Sequence, residues 1–199
     1  KMINYSLSSN TWDSQEELAL ERVIRSGRYT MGPEVKKFEE QFAKMYGVRN
    51  AVMTNSGSSA NLIMLAALKY HPKFQHRPAI SKPEIIVPTV SWSTTYFPVN
   101  QNDFTLNFVD VDPNTLNIDV DDVIKAINHN TVAVLAVNLL GNSADLERLL
   151  HVCLEHDIVL LEDNCESFGA KLNDKFAGTF GEMGTFSFFF SHHLQTMEG

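Results

Sequence analysis

Apolar positions recur along this chain with two periods, three to four residues in some stretches and continuous short runs in others. Ser14-Gln15-Glu16-Glu17 has the form of a capping box, and Leu18, Val23 and Ile24 follow at roughly helical spacing up to Gly27. Pro33 suits the first turn of a second helix, which places Val35, Phe38, Phe42 and Met45 on one face and stops at Gly47. Residues 51–54 read as a short apolar strand, and residues 60–68 as an apolar helix opened by Asn55-Ser56-Gly57-Ser58-Ser59. The Lys-, His- and Pro-rich residues 71–83 read as a surface loop. Beyond them come strands at 84–87 and 104–109, a helix capped by Asp119 that runs to 127, and a buried strand at 132–137. A helix at 144–156, a strand at 158–161 and a last aromatic strand at 185–190 complete the pattern. Strands alternating with helices at this spacing imply right-handed crossovers and a mostly parallel sheet.

Composition narrows the function. The 199 residues carry a formal charge of −8 and are 44% hydrophobic and 20% charged, the profile of an ordinary globular protein. A chain this acidic is a poor sequence-independent nucleic-acid binder, which needs basic surface to displace counterions. Cys153 and Cys165 form neither a disulfide framework nor a zinc pattern, and buried thiols in a reducing compartment are expected. No apolar run reaches the ~20 residues that span a bilayer, and the first residues lack the apolar core of a signal peptide. A cytoplasmic location without membrane or nucleic-acid partners is therefore expected. The start at Lys1 ahead of Met2, and the stop straight after a polar stretch, point to a fragment.

Four chemistry-bearing groups fall after predicted strands, where parallel sheets bind ligands. Gly57 and Ser58 open a helix after a strand, so backbone N–H groups, two serine hydroxyls and the helix dipole would face an anion such as phosphate. The same pattern also describes a plain helix cap. Trp92 stands among hydroxyls in Ser91-Trp92-Ser93-Thr94-Thr95 and could stack on a flat ring or simply fill the core. Asp163 closes the strand at 158–161, where a buried carboxylate needs a partner. A protonated pyridine nitrogen, a helix cap or an ion pair would each serve. Ser191-His192-His193 follows the aromatic strand; neighbours on an extended chain face opposite ways, so the two histidines could not easily share a metal ion. No metal site is expected, and general acid–base work suits a histidine better.

Read together, Ser56-Gly57-Ser58-Ser59-Ala60-Asn61, Pro88-Thr89-Val90-Ser91-Trp92, Glu162 to Ala170 and Gly184-Thr185-Phe186-Ser187-Phe188 resemble the DegT/DnrJ/EryC1/StrS sugar aminotransferases, with similarity from about Ser14 onward. The resemblance implies an α/β fold: the three-layer large domain of a pyridoxal-phosphate-dependent transferase of the aspartate aminotransferase type I class, with a mostly parallel mixed sheet. Residues 1–199 would be an N-terminal segment and most of that domain, truncated at the C-terminal end, with the small C-terminal domain missing. It implies that Gly57, Ser58 and Ser187 hold the cofactor phosphate, that Trp92 stacks on the ring, and that Asp163 pairs with the ring nitrogen. Glu166 stands where the family usually has Gln, near the ring hydroxyl.

One departure redirects the chemistry. The family carries a lysine that bonds covalently to pyridoxal phosphate, and here that position is His192; the last lysine is Lys175. An imidazole cannot make that bond, so pyridoxamine phosphate becomes the natural working form. Residues 190–199, Asn138-Leu139-Leu140-Gly141-Asn142 and Glu162 to Ser167 look most like the 3-dehydratase branch, which acts on nucleotide-linked 4-keto-6-deoxy sugars for colitose-type polysaccharide. The branch implies a nucleotide-sugar substrate, glutamate and 2-oxoglutarate, a homodimer with shared active sites, and His192 as acid–base catalyst. A sugar aminotransferase, a non-catalytic vitamer- or phosphosugar-binding regulator and a histidine metalloprotein are the rival readings.

Overall fold

The computed structural model describes residues 6, 8–77 and 80–196. Residues 1–5, two positions of the polar 71–83 stretch and the last three residues of the histidine-containing segment lie outside that range. The chain divides into two compact units, Lys1–Met53 and Thr54–Gly199. In the first, α1 (Ser14–Ser26) and α2 (Pro33–Tyr46) both end at glycines with φ of 65° and 67°, Gly27 and Gly47. A left-handed residue there closes the last turn, and glycine adopts it without a Cβ penalty. The capping box sits one residue earlier than the sequence pattern implies: Asp13 accepts from Gln15 N–H at 2.7 Å, and Glu16 accepts from Asp13 N–H at 2.8 Å. On α2, Phe42 stacks on Tyr46 with centroids 4.5 Å apart. The strand expected at 51–54 is absent, because Met53 N–H donates to the Glu39 carboxylate at 2.8 Å rather than to a neighbouring strand.

The second unit is built on five parallel strands in the order β2-β1-β3-β4-β7. They are β1 (Glu84–Pro88), β2 (Thr105–Val109), β3 (Thr131–Val137), β4 (Val159–Asp163) and β7 (Met183–Thr185). A small antiparallel hairpin, β5 (Lys171–Leu172) and β6 (Lys175–Phe176), stands apart from the sheet. The helices are α3 (Gly57–Leu68), the single turn α4 (Pro72–Gln75) inside the stretch expected to be a loop, α5 (Ser93–Gln101), α6 (Val120–Ala126) and α7 (Leu146–Glu155).

Strand parity sorts the core into two layers. Ile85, Val87, Ala133, Leu135, Val159 and Leu161 pack with Met64, Leu65 and Leu68 of α3 and Val99 of α5. Their alternates Ile86, Val134, Ala136 and Leu160 pack with Val120 and Val123 of α6 and Leu146, Leu149 and Val152 of α7. Both faces of the sheet are covered, which is why these strands read as continuous apolar runs. The crossover from β1 to β2 uses α5 on one face, while those from β2 to β3 and from β3 to β4 use α6 and α7 on the other. The loops after β1 and β3 therefore diverge and leave a crevice at the carboxyl edge.

Helix α5 lies in a stretch for which the sequence pattern predicts no element, because three hydroxyl residues at its start and Pro98 inside it obscure the helical signal. The last strand is Met183–Thr185, not 185–190. Its ladder ends where β4 ends: Asp163 pairs with Thr185, then Asn164 N–H caps the Thr185 carbonyl at 2.9 Å and the chain turns. With no strand left to pair with, residues 186–189 run irregularly into a turn closed by His192 N–H on the Phe189 carbonyl at 2.8 Å.

Candidate active site

All five sheet strands are parallel, so their carboxyl ends share one edge, and the residues singled out from the sequence gather there. Helix α3 begins against the segment after β7. Ser56 caps it, accepting from Ser59 N–H at 3.1 Å, while the N–H groups of Gly57 and Ser58 have no acceptor among the described residues. A Cβ on Gly57 would lie 2.7 Å from Ser187 Cβ and 2.8 Å from Cys165 Sγ. Only glycine lets this helix start approach Ser187 so closely. Ser58 Oγ donates to Thr94 Oγ1 at 2.9 Å, which ties the start of α3 to the start of α5. Unspent N–H groups at the positive end of a helix, with the Ser187 side chain beside them, form a cradle that fits a phosphate.

Asp163 ends β4 and is buried. Its Oδ2 accepts from Asn61 Nδ2 and from Thr95 Oγ1, both at 2.8 Å, and its Oδ1 accepts from Cys165 N–H at 3.2 Å. Among the described residues it caps no helix and pairs with no cation; neutral donors hold it. Trp92 N-caps α5, one turn before Thr95, and the residue is 70% exposed, which rules out a core role. The donor set fits a phosphorylated pyridine: an anion cradle, a buried carboxylate beyond it and an exposed aromatic ring at the rim.

Glu166 accepts from Leu140 N–H at 3.3 Å in the loop after β3. His192 is half-buried on the turn after residue 190, with its ring edge toward Phe189, whereas His193 is exposed. Burial holds the His192 imidazole below the ordinary histidine range; the Glu166 and Asp163 carboxylates pull it back up, and His193 pushes it down. The strand alternation invoked to separate the two histidines does not apply on a turn; burial separates them instead.

Behind the site lies a buried polar layer the sequence reading did not resolve. Glu162 Oε1 accepts from Phe180 and Gly181 N–H, both at 2.7 Å, and Oε2 from Gly178 N–H at 2.6 Å and Asn138 Nδ2 at 3.3 Å. Burial raises its pKa even against these donors. Ser167 Oγ donates to the Asn138 carbonyl at 2.6 Å and accepts from Gly141 N–H at 2.9 Å. Cys165 is pushed well above the usual thiol range, first by burial and then by Asp163, and burial drives Cys153 to about 12. Neither thiol is a ready nucleophile. Asn61, Thr95 and Thr185 are the polar residues the sequence reading passed over. Helical spacing was the available signal for two of them: Asn61 is one turn beyond Gly57, and Thr95 one turn beyond Trp92.

Comparison with known proteins now bears on this geometry. Residues 10–199 match the DegT/DnrJ/EryC1/StrS aminotransferase family. A GDP-4-keto-6-deoxy-D-mannose 3-dehydratase from Yersinia pseudotuberculosis is 53% identical over 200 residues, covering all of this chain and 50% of that protein. The E. coli GDP-4-keto-6-deoxy-D-mannose-3-dehydratase with bound hydrated PLP superposes with a TM-score of 0.91 at 52% identity, covering 100% of this chain and 50% of that one. A GDP-4-keto-6-deoxymannose-3-dehydratase with a trapped PLP-glutamate geminal diamine gives 0.91 at 51% identity, covering 98% and 50%. The chain thus spans about half the length of the relatives it matches. Among the described residues no helix is long and apolar enough to cross a membrane.

Proposed function

The chain belongs to the DegT/DnrJ/EryC1/StrS aminotransferase family, and from that premise we propose that it is the cofactor-binding part of a pyridoxamine-phosphate-dependent enzyme that removes the C3 hydroxyl of a nucleotide-linked 4-keto-6-deoxyhexose. The substrate is GDP-4-keto-6-deoxymannose, glutamate regenerates the cofactor and leaves as 2-oxoglutarate, and the product feeds deoxysugar synthesis for surface polysaccharide in the cytoplasm. The observation that carries this reading is His192. It stands half-buried, within electrostatic reach of Asp163 and Glu166, at the position where the family resemblance expects the covalent lysine.

The cofactor, when bound, supplies the amine that condenses with the sugar ketone and a ring that accepts electrons. The N–H groups of Gly57 and Ser58 and the Ser187 hydroxyl hold its phosphate. Trp92 covers the ring face, Asp163 holds a proton on the ring nitrogen, and Glu166 lies toward the ring hydroxyl. The neutral His192 imidazole takes a proton from the carbon bearing the amine. It returns that proton to the departing C3 oxygen, which leaves as water; hydroxide alone is a poor leaving group. Hydrolysis of the released enamine yields the 3-deoxy ketone and ammonia.

The test uses the full-length protein with GDP-4-keto-6-deoxymannose and glutamate. A 3-deoxy-4-keto product with ammonia release is expected. His192→Asn should cut turnover about 100-fold or more while retaining pyridoxamine phosphate. Formation of a 4-amino sugar would show an aminotransferase instead, and normal turnover of His192→Asn would remove the acid–base role. The enzyme is proposed to act as a homodimer with shared sites, a reading supported by the exposed Trp92, Leu140, Phe189 and Phe190 around the strand ends.

A further inference from the structure

The Asp163 carboxylate is 4% exposed and has no cationic partner among the described residues, so its orientation depends on the neutral donors around it. Two of these, Asn61 Nδ2 and Thr95 Oγ1, converge on Oδ2. Oδ1 receives one longer backbone contact, from Cys165 N–H at 3.2 Å; the Cys165 thiol also hydrogen-bonds the carboxylate weakly, and Oδ1 keeps acceptor capacity to spare. A side-chain amide can present either of its ends to a neighbour, and an oxygen end toward Asp163 would repel the carboxylate. The nitrogen end faces Asp163 Oδ2 and, at 3.4 Å, the Thr94 carbonyl, both of them acceptors, and Thr185 braces the other end: its hydroxyl donates to Asn61 Oδ1 at 2.6 Å. Thr185 is also the residue paired across the β4–β7 ladder with Asp163, so one backbone pairing sets the spacing of those two side chains, and Asn61 of α3 reaches both.

We infer that Asn61, oriented by Thr185, is a positioning residue that occupies Oδ2 and turns Oδ1 of Asp163 toward the ligand as its one open acceptor. The inference rests on the proposed function, because it takes that ligand to be a protonated pyridine ring. Its chemistry is one of orientation: with Oδ2 held by two donors, the carboxylate cannot rotate, and Oδ1 stays aimed where a ring N–H would meet it. Remove Asn61, and the carboxylate loses one donor and the partner that fixes its rotation. Thr185→Val is close in shape but leaves Asn61 Oδ1 without its donor, so the amide is free to swing away from Asp163; Thr185→Ser keeps the donor.

The experiment titrates the ring nitrogen of pyridoxamine 5′-phosphate labelled with nitrogen-15, bound to the full-length protein and followed by its chemical shift. Thermal melts monitor folding in parallel. In the wild type the ring nitrogen should stay protonated to higher pH than in the free compound. Asn61→Ala should lower its apparent pKa by about one unit or more, a roughly tenfold change in the protonation equilibrium. Thr185→Val should move it the same way, and Thr185→Ser should titrate like the wild type. A folded Asn61→Ala or Thr185→Val protein with a wild-type titration overturns the inference, whatever its melting temperature, since a merely structural role would lower the melt without moving the ring. Should Asn61→Ala fail to fold, the Thr185 pair decides alone. If the wild type does not bind pyridoxamine phosphate at all, the functional reading falls first and this inference with it, an outcome distinct from normal binding with an unmoved titration.

Discussion

Gly57 and His192 show how much chemistry rests on single positions. A methyl group at Gly57 would press on Ser187 Cβ and Cys165 Sγ, neither of which is the far end of a flexible chain. Gly57→Ala should therefore cost about 2 kcal/mol, as overpacking does, and should also weaken pyridoxamine phosphate by separating the helix start from Ser187. A urea titration and a binding isotherm on the full-length protein check the two effects. Wild-type values for both would mean that the close approach carries no function. The pH behaviour of His192 has a definite sign. Burial holds its pKa below the ordinary value, so the neutral form that accepts a proton persists on the acidic side of neutrality. Glu166 opposes that shift, because its charge favours the imidazolium. Glu166→Gln should thus displace the acidic limb of kcat/KM to lower pH; displacement to higher pH would show that Glu166 does not act through His192.

Single strands set the roles of adjacent residues. Glu162 and Asp163 are neighbours on β4 and point to opposite faces. Asp163 shares its face with Leu161 and meets Asn61 of α3 and Thr95 of α5. Glu162 shares its face with Leu160 and meets the 178–181 loop, where it acts as a structural anchor for three backbone N–H groups. A slip of one residue in the β4 register would exchange the two carboxylates. The substitutions should separate these roles. Glu162→Gln sets an NH₂ group against buried donors and should cost about 3 kcal/mol of stability. Asp163→Asn can keep its oxygen on Asn61 and Thr95 and turn its NH₂ toward the side that receives only the longer Cys165 contact, so it should cost less than Glu162→Gln while abolishing most turnover. Chemical denaturation of both variants beside activity checks this, and a stable Glu162→Gln protein would refute the anchor role.

At the scale of the whole molecule, association and topology come into play. If the full-length protein is the dimer proposed above, light scattering should give twice the chain mass. Replacing exposed Phe190 by Asp should move the population toward monomer; a monomeric wild type would remove the shared-site proposal. Much of the architecture was legible in the amino-acid order. The alternation of apolar runs with helical periods fixed an α/β unit with a parallel sheet, Asp119 marked the start of α6, and Gly27 and Gly47 marked helix ends, because local sterics and hydrogen bonding act within a few residues. The Ser-Gly-Ser-Ser turn, Trp92, Asp163 and His192 could be singled out because each residue type has its own chemistry. The end of the last strand and the neighbours of each group could not be read this way. Strand β7 stops at Thr185 because β4 stops at Asp163, a limit imposed by a partner about twenty residues away in sequence. His192 is distinguished from His193 by burial on a turn rather than by strand alternation. Asn61 gains its role from Thr185, 124 positions along the chain. Periodicity records which face of an element is apolar; which polar groups meet behind that face is decided only when parallel strands bring their carboxyl ends to one edge.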